Sequence, residues 1–140
     1  PAAWRDAREG FVLELPSERP VLRSIYHPHS ICDLGNGEIA TCESPLRRVR
    51  TDRGRVSENL PGYARGLCIA DGSLFVGTSR DRHPGEPLSI LPHAGINNDH
   101  GIASICGLDL ETLALIDVLE ISPLGREVFD IIEVSTEAAQ

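Results

Sequence analysis

Five histidines, thirteen arginines and a surplus of carboxylates set the chemistry open to this chain of 140 residues. His27 and His29 are two apart, and side chains two apart share one face of a strand. His93, Asp99 and His100 stand in one long polar stretch and can swing toward a common point. Imidazole and carboxylate together suit zinc, manganese or iron. A divalent metal held by His27, His29, His93 and His100 would make metal-assisted lysis or hydrolysis the reaction to expect. The spacing matches no sharp metal motif such as H-E-x-x-H, and histidines without a metal role are the competing reading.

A second group needs no metal. His29, Arg65 and Glu127 each fall at the start of an expected strand. Arginine offers a planar fork for carboxylate or phosphate. Histidine gives or takes a proton near neutral pH, and Glu127 would balance the charge. Brought together, the three would bind a small polar or anionic ligand, for instance a sugar derivative, with no cofactor. The plainer alternative is that they cap strands and pair with backbone or with one another.

Arg47, Arg48, Arg50, Arg53 and Arg55 crowd into nine residues. Such a run could meet a phosphate-rich partner, but it carries none of the aromatics on which single-stranded bases stack. A solvated face that keeps a sheet edge soluble is expected instead. The formal net charge of −8 also argues against non-specific nucleic-acid binding. No G-x-S-x-G elbow surrounds Ser30, Ser44, Ser79 or Ser104, so a hydrolase triad has no support. Gly35-Asn36-Gly37 is a turn between strands, not a phosphate cradle.

These side chains must be positioned by strands. Residues 29–34, Gly35-Asn36-Gly37 and residues 38–44 read as strand, turn, strand; so do residues 65–70, Asp71-Gly72 and residues 73–79. Asn-Gly and Asp-Gly are strong hairpin signals, because a type I′ turn needs positive φ at both central residues. Cys32 and Cys68 occupy matching places, 36 residues apart. A third hairpin is expected over residues 46–50 and 55–60 around Asp52-Arg53-Gly54, and a fourth over 103–110 and 113–121. Residues 127–134 read as a strand opening another unit, and Trp4 should pair with residues 11–15 across residues 6–10. Four short strands per unit with a period near 36 is the pattern of a β-propeller blade. The fold expected is all-β: antiparallel four-stranded blades in a partial β-propeller of about two and a half blades. It forms one domain over residues 1–140, with a long loop insertion at 80–101. A small open sheet or sandwich is the alternative.

An insertion of that length without structure of its own is commonly functional or disordered. Two and a half blades leave strand edges bare, which favours association. Further blades of a longer chain, or a homo-oligomer, are therefore expected. The chain begins at Pro1 and holds no methionine, so a processed product or a piece of something longer is expected. No stretch approaches the ~20 apolar residues of a membrane span. The four cysteines form no C-x-x-C pair. They read as buried thiols, with a Cys32–Cys42 bridge as the alternative, and thiols without bridges point to the cytoplasm.

The run Leu60-Pro61-Gly62-Tyr63-Ala64-Arg65-Gly66-Leu67, followed by Val76-Gly77-Thr78-Ser79 and Phe129-Asp130-Ile131, resembles a family of bacterial β-propeller proteins of unknown function. That family is distantly like the NHL, kelch and YVTN-repeat propellers. Pro28-His29-Ser30 is similar too, so the likeness covers roughly residues 27–134. Members are usually longer, so the resemblance implies a fragment. It implies a propeller fold and no settled activity.

Overall fold

The structure is a computed structural model and describes residues 7, 9–81 and 100–134. It is all-β: nine antiparallel strands in three open sheets, with no α-helix among the described residues. β1 (Gly10–Glu14) pairs with β2 (Arg19–Ile25). β3 (Pro28–Asp33), β4 (Ile39–Glu43) and β5 (Arg48–Thr51) form a second sheet in that order. β6 (Tyr63–Ala70), β7 (Ser73–Ser79), β8 (Ser104–Asp109) and β9 (Leu115–Glu120) form a third, each strand beside the next in sequence. Among the described residues no helix is long and apolar enough to cross a membrane.

The turns follow the residues that permit them. Asp71 and Gly72 both take positive φ, 47° and 74°, and β6 and β7 pair directly across them. Gly35 and Gly37 do so between β3 and β4, with φ of 89° and 72°. Pro45 sits in a single 3-10 turn, Ser44–Leu46, which ends when Arg47 turns left-handed and lets β5 return along β4.

One core lies between the second and third sheets. Ala40 and Cys42 of β4, Leu74 and Val76 of β7, and Cys106 and Leu108 of β8 all enter it at the two-residue period of strands. In β6 the inward residues are Ala64 and Leu67, three apart. A bulge between Arg65 and Leu67 inserts one residue there and switches the facing parity. Val12, Leu22 and Ile25 make a smaller cluster under β1 and β2.

Several expectations need correction. Among the described residues only the third sheet has the four strands expected of a blade; the other two have two and three. The returning arm of the third hairpin, residues 55–60, is not a strand; it contributes one isolated bridge, Arg50 to Val56, as Pro61 approaches. Residues 11–15 pair not toward Trp4, which lies outside the described residues, but forward with β2. Residues 127–134 form no strand, since none of the described strands shares a ladder with them. All four cysteines are free, and register excludes the Cys32–Cys42 bridge: Cys32 faces Ala40, and Cys42 faces His29.

The clustered arginines are not a bare solvated face. The carboxylate of Glu43 is wholly buried and meets Arg48 Nη2 at 2.5 Å and Arg50 Nη1 at 3.8 Å. Glu38 is also buried and takes both prongs of Arg55, each at 2.8 Å. Arg55 further donates to the carbonyls of Leu110 and Glu111, so one guanidinium ties the second sheet to the β8–β9 turn.

Candidate functional site

β3 and β6 lie side by side without sharing a ladder. Each carries a bulge at the same place, after His29 in β3 and after Arg65 in β6. The bulged residues Ser30 and Gly66 both have positive φ, 54° and 62°. Gly66 N donates to Ser30 Oγ at 3.0 Å and joins the two bulges. His29 and Arg65, one residue earlier on each strand, therefore stand at corresponding positions of neighbouring strands.

Residues 126–131 run as a strap across the opposite face of β6 and β7, away from the shared core. Glycine makes room for it twice. A Cβ on Gly66 would lie 2.8 Å from Asp130 Cα, and a Cβ on Gly77 would overlap Val128 Cγ1. The strap is fastened by Ser79 Oγ, which accepts from Val128 N at 2.9 Å and donates to Val128 O at 3.1 Å. Arg80 N adds a bond to Arg126 O at 2.9 Å. Phe129 is thereby set over Arg65, with the guanidinium carbon 5.7 Å from the ring centroid.

The predicted site residues divide accordingly. Arg65 and the strap bearing Glu127 are brought together, and His29 lies on the neighbouring strand. Glu127 is half-buried and lines a cleft of about 280 Å3 with Arg80, Asp81 and Arg126. Sequence reasoning missed Phe129, Arg80 and Arg126; the matched Phe129-Asp130-Ile131 was the available signal for the first. For the metal set, His27 precedes β3 with φ 42°, so it is not in extended backbone and the shared strand face with exposed His29 does not form. His100 is exposed, and its carbonyl accepts from Asp81 N at 2.8 Å. His93 and Asp99 lie outside the described residues. Among the described residues no three His, Cys, Asp or Glu side chains are grouped to hold a metal ion.

Thiol chemistry is muted by burial. Burial pushes the Cys42 and Cys106 thiols up, as it does Cys32, where the neighbouring Cys68 and Asp33 add to the effect. Residues 1–139 match a family described as a domain of unknown function, DUF4915. The chain belongs to the DUF4915 family. No curated protein and no solved structure matches it. Membership in DUF4915 brings no activity or ligand with it, and the NHL, kelch and YVTN likeness gains no support from the match.

Proposed function

We propose that this DUF4915 chain is a segment of a β-propeller that binds a small polar or anionic ligand where β3 and β6 begin. The observation carrying this reading is the Ser30–Gly66 bond between matching bulges. Ser30 meets Gly66, and Cys68 bears electrostatically on Cys32, so both pairs keep the same 36-residue offset. Equal offsets mean that β3 and β6 run parallel, as the innermost strands of neighbouring blades do around a channel. The strap then takes the place of the next innermost strand, still without its hairpin partner. On this reading the three sheets are successive blades, and further blades of a longer chain or copies of this one complete the ring.

On this reading the mouth would draw on His29, Arg65 and Glu127, with the Phe129 ring against the Arg65 guanidinium. Arg65 would take an acidic group through its fork. Phe129, 68% exposed, would offer an apolar face to a sugar ring. No specific observation favours the metal-assisted alternative. A cytoplasmic setting belongs to the same proposal and is supported by the four unbridged thiols.

The test is calorimetric titration of the whole chain with glucuronate and with glucose. Glucuronate should bind the more tightly, and Arg65→Ala should weaken it at least tenfold, about 1.4 kcal/mol. Equal binding by the wild type and Arg65→Ala would remove the site. Native mass spectrometry tests the ring: a dilute stable monomer from a full-length parent of this size would count against it.

A further inference from the structure

We infer that Arg80 and Arg126 form a separate binding site for a small oxyanion, a carboxylate or phosphate group, in the cleft they share with Asp81 and Glu127. The inference goes beyond the proposed function and needs neither the propeller nor a ligand at Arg65. The cleft has a volume of about 280 Å3, enough for a small acid and too little for a large cofactor. Its two arginines come from segments that the fold pins together, since Arg80 N bonds Arg126 O at 2.9 Å. Each wall repeats the same order, an arginine followed by a carboxylate: Arg80-Asp81 and Arg126-Glu127.

The charges of the cleft are not equally satisfied. Asp81 and Glu127 already have partners. Among the described residues neither arginine side chain has an ion pair, and Arg80 Nε is buried with no hydrogen-bond partner. Two other half-sheltered arginines show how closely this chain can pair one, Arg48 with Glu43 and Arg55 with Glu38. A buried donor left unmade costs about 1–3 kcal/mol, and such a group in a native fold calls for a missing acceptor. An oxyanion supplies it, and two guanidinium forks on adjacent backbone positions give it several donors at once.

The whole chain would be titrated at low ionic strength with inorganic phosphate and, separately, with succinate, followed by amide NMR shifts. Saturable shifts at Arg80, Asp81 and Arg126 are expected with at least one probe, and the tighter probe identifies the group recognised. Arg126→Ala, at an exposed position, should raise the dissociation constant at least tenfold, and Arg80→Ala likewise if it folds. Arg126→Lys should retain part of the binding, because a point charge replaces a fork. The amide shifts at Arg80 and Arg126 report this cleft, whereas the glucuronate titration of Arg65→Ala reports the mouth, so failure here is distinct from failure there. No saturation at millimolar phosphate or succinate, or equal binding by wild type and Arg126→Ala, overturns the inference.

Discussion

Ser30 Oγ and Gly66 N, 3.0 Å apart, join the bulges of two strands that share no ladder. The bond sits where β6 is covered by the strap, since a Cβ on Gly66 would reach within 2.8 Å of Asp130 Cα. Ser30→Ala should cost about 1 kcal/mol by stranding a sheltered N–H. Gly66→Ala should cost more, roughly 2 kcal/mol or above, because positive φ and a backbone contact are both violated. Urea midpoints of the two variants check the order, and a Gly66→Ala cost no larger than that of Ser30→Ala would contradict it.

The strap depends on a second glycine. A Cβ on Gly77 would meet Arg65 O at 2.8 Å as well as Val128. Gly77→Ala should therefore lift residues 126–131, and trimming Val128 to alanine should not fully rescue it, because the carbonyl cannot move away. Hydrogen exchange at the Val128 amide, which donates to Ser79 Oγ, reports the lift directly. Unchanged protection in Gly77→Ala would show that the strap does not rest on this surface.

Glu38 gives the fold a pH dependence of known sign. The Arg55 guanidinium, bonded to its carboxylate, holds Glu38 below the ordinary carboxylate range, with burial opposing. A folded-state value below the unfolded one stabilises the fold fully above the unfolded value, about 4.3, and that stability is lost as pH falls through the folded value. Stability should hold level from neutral pH and then fall in acid, and Glu38→Gln should flatten part of that fall. Arg55→Ala should cost about 1–3 kcal/mol at neutral pH by leaving Glu38 sheltered without its partner. Denaturant midpoints across pH are the measurement, and an acid limb identical in Glu38→Gln would exclude this carboxylate.

The four thiols should sort by burial. Cys42 and Cys106 are fully buried, and Cys32 and Cys68 partly so. Iodoacetamide on the native chain should label only Cys32 and Cys68, slowly at Cys32 because its thiol is pushed up. Peptide mass mapping before and after denaturation checks this, and native labelling of Cys42 would mean that the core opens readily.

Strand pairs closed by short turns were legible because the information is local. Asp71-Gly72 requires little beyond two residues able to take positive φ. The matching stretches around Cys32 and Cys68 were legible for the same reason. Partnerships across the fold were not. Glu38 and Arg55 are 17 residues apart, and nothing in the arginine run foretells two buried carboxylates. Residues 127–134 are rich in Val, Ile and Phe, the residue types of strands, but strand formation depends on a neighbour that the local composition cannot provide. The left-handed turn at His27 likewise undid a face argument that was sound for extended backbone. Phe129 gained its place through Gly66, Gly77 and Ser79, far upstream.

Asp81 N bonds His100 O at 2.8 Å, and Ile102 N bonds Pro61 O at 2.9 Å, so the two ends of the insertion meet before β8 begins. β7 and β8 thus have their shared end clamped by a stem of described residues, and the ladder from Ser73–Asp109 to Thr78–Ser104 is closed there by backbone bonds that lie outside it.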